Sequence, residues 1–479
     1  MPVSISELLH KPNIVLSVLS DVGAYGFLLN VIDLDTRQVI HALKITLFFE
    51  EKSQTATVAA SVPGFSLWTQ TEAHADPHGI IHESQDMPDS VEVTKKISPK
   101  SRIWEEPVFT KISEELSNGC QLHAVESYNK DSAIALMELC SRRIVERNHD
   151  ITELHHNSGY AVKYIRCIIQ FLQKEKYEMS MLILLLDRLY ERPDITMHTR
   201  AMDIFQIQTA ANVLNLLLHG FVGTDLKHAN IVYADKTRLS ENHRIKLETI
   251  QSRALELASS ESRPILQAIV IDTITPVIID SGIMVLRKTN FGNYLGIMFS
   301  EYTAGKIEEK TASVKNKKDK QRIKTEVEKD MNSVRNILSS NDLFPIEDLT
   351  PNVLGYLLEI LLSDNVGNDW LVGFKFDDIN TLTAIKYLII ASNEYSRSHP
   401  MTSFRLPTPE GGITQFGNIE DCKTLVTRME STGGGNFTQF IQRTHIGDLY
   451  KLKKTKKRKF KLLKNKKNVK NKSYKVRRT

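Results

Sequence analysis

A short polar stretch near the middle of the chain carries side chains that could take part in catalysis. In GFVGTDLKHANIV, Asp225, Lys227 and Asn230 lie close together between apolar segments. An ordinary connecting loop has little use for so many polar groups beside buried-looking residues. Phosphoryl transfer is one chemistry that uses such groups, because it needs an oriented hydroxyl, metal ions and firmly held nucleotide phosphates. The stretch therefore predicts a site, and the rest of the chain should supply its partners.

Three other segments carry residues that could hold a nucleotide. DVGAYGFL places Gly23 and Gly26 between two predicted strands, where small residues let backbone N–H groups approach phosphate oxygens. IHALKI places Lys44 in an apolar strand, and that lysine needs a partner because an isolated buried ammonium is costly. TPVIIDSG ends an apolar strand with Asp280. Each segment alone is also typical of an ordinary turn or a half-exposed strand, so the argument depends on their combination and order.

In their order along the chain, the four segments resemble the motifs of protein kinases. DVGAYGFL resembles the Gly-rich loop G-x-G-x-x-G-x-V, with Gly23 and Gly26 at the second and third glycines and Leu28 at the apolar position. IHALKI resembles V-A-I-K, TDLKHAN resembles the catalytic loop, and IDSG resembles D-F-G. The resemblance covers roughly residues 14–50, 104–140 and 200–300.

The resemblance implies a role for each polar residue of the catalytic loop. Asp225 would orient the substrate hydroxyl and accept its proton, and Lys227 would neutralise charge on the transferring phosphate. Asn230 and Asp280 would bind Mg²⁺. A lysine two residues after the aspartate is typical of serine/threonine kinases. We therefore expect transfer of the γ-phosphate of ATP to Ser and Thr hydroxyls of protein substrates.

Lys44 is expected to hold the phosphates of ATP. In kinases this lysine grips the α- and β-phosphates and pairs with a glutamate on a helix. Glu106 is the first candidate for that partner, because it opens the predicted helix EEPVFTKISEEL. The long segment between Lys44 and this helix removes any help from spacing, and three neighbouring glutamates compete with Glu106: Glu105, Glu114 and Glu115.

The adenine ring is expected to lie in an apolar slot. AIALMELC resembles the strand that leads into the kinase hinge, so Met137 would flank the base, and the backbones of Glu138 and Leu139 would bind it. Leu28 and Ala42 would cover its other face, as in apolar ligand sites generally.

Several positions depart from the kinase pattern. The usual His-Arg before the aspartate is Gly223-Thr224, and the Phe of D-F-G is Ser281. Without that arginine, control by an activation-loop phosphate loses its normal docking group. Between Asn230 and Asp280 lie 49 residues, which requires an insertion. The lysine, the two aspartates and the asparagine are all present, so activity is expected.

Such divergence with large inserts is similar to the serine/threonine kinases of large cytoplasmic DNA viruses, including iridoviruses. Two other functions stay open. A catalytically weak or inactive kinase-like scaffold could bind nucleic acid or a virion component through a basic tail. A phosphotransferase acting on a small molecule could use a similar loop, although Lys227 and the hinge-like segment argue against it.

The hydrophobic pattern predicts an α+β protein with a small β lobe followed by a larger helical lobe, and the resemblance to kinases implies that these form a bilobal, kinase-like fold. Period-two alternation over the first fifty residues predicts a three-strand antiparallel meander in a small β lobe. MSMLILLLDRLYE and MDIFQIQTAANVLNLLLHG predict helices of a larger, mainly α lobe. The expected units are a small lobe over 1–138 with an insertion at about 51–102, a large lobe over 139–430 with insertions at about 234–265 and 305–335, and a linker with a disordered tail over 431–479.

Charge is distributed very unevenly along the chain. Residues 451–479 contain 16 Lys and Arg and no acid, whereas the other residues hold 46 bases against 57 acids. Such a tail could bind nucleic acid, carry a nuclear-localisation signal or dock an acidic partner. Four scattered cysteines without a CxxC pattern predict a reduced protein. The start MPVSISELLH predicts no signal peptide, and the short apolar runs predict no membrane span. We expect it in the cytoplasm or nucleus of a host cell, or in a virion.

Overall fold

The structure is a computed structural model. Side chains are described for most, but not all, of the residues whose backbone is described. The described residues are 4–20, 26–49, 56–61, 67–70, 92–99, 105–144, 165, 169, 173, 179–188, 199–223, 230–279, 284–363, 373–407 and 413–427.

The first part of the chain forms the expected antiparallel meander. After helix α1 (Ile5–His10), strands β1 (Ile14–Ser20), β2 (Gly26–Asp33) and β3 (Gln38–Phe49) pair in sequence. Apolar side chains alternate between the two sides of each strand, so both faces of this sheet can be covered. The prediction of a three-strand meander is confirmed.

Residues 51–102 were expected to form a polar, irregular insertion, but part of this segment is regular. Strand β4 (Ala56–Ser61) pairs antiparallel with β5 (Leu67–Gln70) and with β6 (Glu92–Pro99). Strand β6 also runs parallel to the end of β3 at Phe48 and Phe49. The segment therefore extends the sheet at one end.

The main sheet is completed by two strands that come later in the chain. Helix α2 (Glu105–Leu116) leads to β7 (Leu122–Tyr128), helix α3 (Lys130–Arg143) follows, and β8 (Met179–Asp187) returns to the sheet. Strand β8 lies between β3 and β7 and pairs antiparallel with both. The five strands are thus ordered β1-β2-β3-β8-β7.

The segment MSMLILLLD is this central strand, so the prediction of a helix there was wrong. A short, wholly apolar run has the same pattern in a buried helix and in a strand covered on both faces. The two faces of the sheet supply the covering: Ile183 and Leu185 pack in one apolar cluster, and Leu184 and Leu186 pack in another. Strand β8 brings into the sheet a segment that lies after residue 138, the expected end of the small lobe.

The segment AIALMELC is helical, so the prediction of a hinge strand there was wrong. Asn129 caps helix α3 by accepting a hydrogen bond from the Ser132 N–H, and the buried side chains then recur at helical spacing. Met137 is fully buried and packs in the same cluster as Leu43, on the face of the sheet opposite to Lys44. Helix α3 therefore covers the outer face of the sheet.

The second half of the described chain is mainly helical. Helix α4 (Thr199–Leu218) confirms the prediction of a helix from MDIFQIQTAANVLNLLLHG. It buries the apolar residues that recur every three or four positions, Ile204, Ile207, Ala211, Leu214 and Leu218. The elements that follow are β9 (Phe221–Gly223), β10 (Ile231–Asp235), α5 (Glu241–Leu257), α6 (Arg263–Ile271), β11 (Ile274–Ile278), β12 (Met284–Leu286), α7 (Arg287–Phe291), α8 (Ile297–Thr311), α9 (Lys317–Ser339), α10 (Pro351–Ser363), α11 (Ile379–Ser398), β13 (Phe404–Pro407) and β14 (Ile413–Phe416), with 3₁₀ turns at Lys236–Arg238 and Ile346–Asp348.

The two segments expected as insertions in this half are folded into it. Residues 234–265 include α5, which packs against α11 and α6. Residues 305–335 fall mainly in α8 and α9, and α9 buries Val327, Met331 and Val334 in the main helical core. Helix α9 packs in this way because one of its faces is apolar at helical spacing, while many of its charged side chains are exposed.

The described chain is thus a mixed α/β structure, with an antiparallel sheet followed by a larger helical part. None of the helices in the described ranges is both long enough and apolar enough to cross a membrane.

Candidate functional site

An ion pair joins the sheet to helix α2. The Lys44 Nζ on β3 contacts the Glu106 Oε1 in the first turn of α2, and both side chains are largely shielded from water. Lys44 lies in register between Leu28 on β2 and Leu184 on β8, so these three side chains share one face of the sheet. The lysine that needed a partner in an apolar strand therefore has one.

Glu106 is the glutamate that sequence analysis placed first, and two of its competitors are engaged elsewhere. Glu114 and Glu115 lie at the other end of α2, where both pair with Lys111 at 2.7 and 2.9 Å. The side chain of Glu105 lies outside the described part of the structure. Helical spacing thus separates the first-turn carboxylate, which faces β3, from those of the last turn.

The far end of α2 is held by helix α5. The Lys246 Nζ donates to the backbone carbonyls of Glu114, Glu115 and Ser117, the last two at 3.4 Å. These carbonyls belong to the end of the helix, where backbone acceptors have no partner within the helix and a cation is favoured. Burial is the main cause that lowers the pKa of Lys246, opposed by the charges of Glu115 and Glu114.

A second contact from α5 reaches the turn that follows α2. The His243 Nε2 lies 2.5 Å from the Asn118 Oδ1, and the Asn118 amide donates to the Thr275 hydroxyl at 3.1 Å. Burial, with a smaller effect from the Lys246 charge, lowers the pKa of His243 to about 4. His243 is therefore a neutral side chain in this network near pH 7.

Two pairs of short strands frame the segments that carry the predicted catalytic and metal-binding residues. Strand β9 pairs with β12 through Gly223 and Met284, and β10 pairs with β11 through Ile231 and Ile278. The Ile279 N–H also donates to the Asn230 carbonyl at 3.0 Å. Residues 223 and 230 on one segment therefore lie beside residues 284 and 279 on the other.

Several predicted site residues lie in segments whose structure is not described. Asp225 and Lys227 fall in residues 224–229, Asp280 in residues 280–283, and Gly23 in residues 21–25. Gly26 is described as the first residue of β2, by its backbone alone. Asn230 is buried at the start of β10.

Apolar side chains lie on the same face of the sheet as Lys44. Ala42 is fully buried and Leu28 half-buried on the same face as Lys44, and both belong to one apolar cluster with Val232 and Leu186. Half-buried Ile279, next to the strand pair described above, packs against the same cluster. The arrangement joins an apolar surface, a lysine–glutamate pair and the ends of two polar segments. Such a combination can accommodate a flat apolar group attached to an anionic one.

Met137, Glu138 and Leu139 do not contribute to this surface, because α3 lies on the other face of the sheet. The residues that lie beside Ala42 instead come from the end of β8, where Leu186 is in register with Ala42. Sequence analysis missed this strand because its apolar run lacks alternation. A signal was present in the change from the apolar run Met181–Leu186 to the polar pair Asp187-Arg188, where the strand ends.

A comparison of the chain with protein-family models finds no matching family, and a comparison with curated proteins finds no similar sequence.

Proposed function

We propose that the protein is an ATP- and Mg²⁺-dependent protein serine/threonine kinase with a kinase-like bilobal fold. The observation that carries the proposal is the ion pair between Lys44 on the third strand and Glu106 on the helix that follows. Protein kinases use a lysine on the third strand, paired with a glutamate on the next helix, to position the α- and β-phosphates of ATP. Four glutamates competed for this pairing in the sequence.

The framing of the two polar segments supports the same function. The catalytic-loop match lies between β9 and β10, and the D-F-G match lies between β11 and β12. Because β9 pairs with β12 and β10 with β11, the flanks of the two matches are adjacent on both sides. A kinase requires this proximity, since its catalytic-loop asparagine and its D-F-G aspartate bind Mg²⁺ beside the same phosphates.

The proposed chemistry assigns one task to each residue. Asp225 orients the Ser or Thr hydroxyl and takes its proton, and Lys227 neutralises charge on the transferring phosphate. Asn230 and Asp280 would hold Mg²⁺, which bridges and neutralises the phosphates. Amide and carboxylate oxygens are ligands that Mg²⁺ prefers. The backbone carbonyl of Asn230 accepts a hydrogen bond from the N–H of Ile279, the residue directly before Asp280.

The adenine slot is revised from the sequence expectation. Leu28 and Ala42 cover one side, as expected, and Val232 lies in the same apolar cluster. The strand beside them is β8, so its end, around Leu186 and Asp187, takes the place that was assigned to Met137, Glu138 and Leu139. The helix α3 residues have no role in this proposal.

The experiment compares phosphate incorporation by the wild-type protein, Asp225→Asn and Lys44→Met, with a generic basic or casein-like protein substrate, ATP and Mg²⁺. Lys320→Met is the matched control, because Lys320 is exposed on α9. We expect activity in the wild type and in Lys320→Met, and a loss of at least about a hundredfold in the other two, which is the scale of general acid–base and electrostatic effects. Equal incorporation by all four proteins would remove the claim of intrinsic kinase activity.

A binding measurement distinguishes this function from the alternative scaffold. A kinase of this design should be stabilised by ATP with Mg²⁺, because a ligand that binds the folded state raises the melting temperature. A kinase-like scaffold that acts through residues 451–479 should show no such shift, and its binding to nucleic acid should weaken steeply with salt.

A further inference from the structure

Three potential metal ligands from three neighbouring strands meet at one end of the sheet. They are His41 on β3, His123 on β7 and Asp187 at the end of β8, and one ligand atom from each lies within 4.8 Å of the others. The His41 and His123 rings are arranged edge to face with centroids 4.9 Å apart, and the His123 Nε2 lies 3.7 Å from the Asp187 Oδ1. His41 and His123 have no part in the proposed phosphoryl transfer, and the side chain of Asp187 has no assigned task in it.

The strand register explains why these three side chains meet. His41 is the direct partner of Asp187 in the β3–β8 ladder, so the two residues share a face of the sheet. On the other side of β8, Leu122 pairs with Leu186 and Ala124 with Leu185, which leaves His123 as the extra residue of a β-bulge. A bulge re-aims a side chain that regular pairing would direct elsewhere.

Two atoms of this cluster are buried without a hydrogen-bond partner. The Asp187 carboxylate is only 5% exposed, and its Oδ2 accepts no hydrogen bond, while its Oδ1 accepts one from the Arg188 N–H at 3.0 Å. The His41 Nδ1 is likewise unpartnered. Burying a polar atom without a partner is destabilising, so two such atoms at one place call for an explanation.

The geometry points to a divalent transition-metal site, of the Zn²⁺ class, formed by His41, His123 and Asp187. A metal ion accepts the lone pairs of the two buried atoms and removes both unsatisfied positions. The imidazole groups of the site select this class over Mg²⁺ and Ca²⁺, which prefer oxygen ligands. Two histidines and a carboxylate leave the fourth tetrahedral position open, on the side of the more exposed His123.

The required movement is small. Ligand atoms around tetrahedral zinc lie roughly 3.5 Å apart, given bonds of about 2.0–2.2 Å. The present separation of up to 4.8 Å closes by about 1 Å, and the exposed His123 side chain can supply most of that shift. The bound ion would tie β3, β7 and β8 together at the end of the sheet beside Ala42 and Lys44.

Cobalt binding tests the site, because Co²⁺ takes the place of Zn²⁺ in such sites and its visible spectrum reports geometry and ligand type. Full-length wild-type protein, His123→Ala and Asp187→Asn are each titrated with CoCl₂, and competition with ZnSO₄ then gives the relative affinity. His399→Ala is the control, because His399 is exposed and lies outside the cluster. His123→Ala is the main variant, since an exposed side chain can be shortened with little effect on folding.

We expect one equivalent of Co²⁺ in the wild type and in His399→Ala, with the intense visible bands of a four-coordinate ion and no thiolate charge-transfer band. His123→Ala and Asp187→Asn should each weaken binding by at least about tenfold. Zn²⁺ should displace the cobalt and raise the melting temperature of the wild type, whereas Mg²⁺ should do neither. Equal binding by wild type and His123→Ala, a thiolate band, or only the weak spectrum of hydrated cobalt would overturn the assignment. None of these readouts depends on kinase activity.

Discussion

Replacing Lys246 with Met tests whether helix α5 holds α2 in the position that joins Glu106 to Lys44. The Lys246 Nζ donates to three backbone carbonyls at the end of α2, and methionine keeps much of the apolar stem while removing the donor and its charge. The substitution leaves the acceptors at the buried end of a helix without a partner. We expect the last turn of α2 to fray.

The expected loss of stability follows from these contacts. A hydrogen bond to a charged group contributes about 1.5–3 kcal/mol, and a buried acceptor left without a donor costs about 1–3 kcal/mol. Relief of the buried ammonium offsets part of the loss, because burial already lowers the pKa of Lys246. We therefore expect the free energy of unfolding to fall by about 2–4 kcal/mol, or roughly 2–4 °C in melting temperature for a chain of this size.

The assay combines urea denaturation with amide hydrogen exchange over residues 105–116. Lys246→Met should speed exchange in the last turn of α2 and weaken ATP binding, since Glu106 lies on the same helix. Lys320→Met, on an exposed face of α9, should stay within about 0.5 kcal/mol of the wild type. An Lys246→Met variant as stable as the wild type, with unchanged exchange in α2, would refute the role assigned to this contact.

Three further predictions concern other parts of the same framework. Glu106→Gln should weaken ATP binding about tenfold or more, because Lys44 loses its charged partner. Glu115→Gln, on the same helix, should bind ATP like the wild type. Calorimetry with Mg·ATP measures both affinities, and equal values for the two variants would contradict the role of the Lys44–Glu106 pair. Burial lowers the pKa of His243 to about 4, so the folded state binds fewer protons than the unfolded state between pH 4 and 6.5. The free energy of unfolding should therefore fall by up to about 3 kcal/mol as the pH drops through this range. Urea denaturation at each pH should show a smaller fall for His243→Gln. Arg287 donates to four backbone carbonyls, among them those of Leu217 and Leu218 at the end of α4, so Arg287→Met should cost about 3–5 kcal/mol by the same measurement, and a loss below 1 kcal/mol would show that the contacts are replaceable.

Local periodicity predicted the elements whose burial is one-sided. The meander β1–β3 alternates in period two, and α2, α4 and α10 carry apolar residues at helical spacing or clear end signals, so each was predicted from its own residues. The same reasoning failed for β8 and α3. Strand β8 is buried on both faces and therefore has no alternation, and α3 was taken for a strand because its apolar run is short. Which state such a run adopts depends on neighbours that are distant in sequence.

The motifs of the candidate site were visible in the sequence, but their pairing was not. A lysine in an apolar strand requires an opposite charge, and four glutamates were available to Lys44. The tertiary structure pairs Lys44 with Glu106 in the first turn of α2, whereas Glu114 and Glu115 pair with Lys111. The proposed adenine slot is bordered by the end of β8 rather than by α3 for a similar reason, since strand order determines which residues lie beside Ala42.

Nothing in the sequence pattern indicated the cluster of His41, His123 and Asp187, which lie far apart along the chain. Their meeting depends on the register of β3 with β8 and on one bulge in β7, and both are properties of strand pairing rather than of any single segment. The sequence by itself determined which residues carry reactive groups and the local elements with one-sided burial, such as β3 and α2, that hold some of them. The tertiary structure alone decided which of those groups come within contact distance, because contacts between distant segments depend on how strands pair and how helices pack.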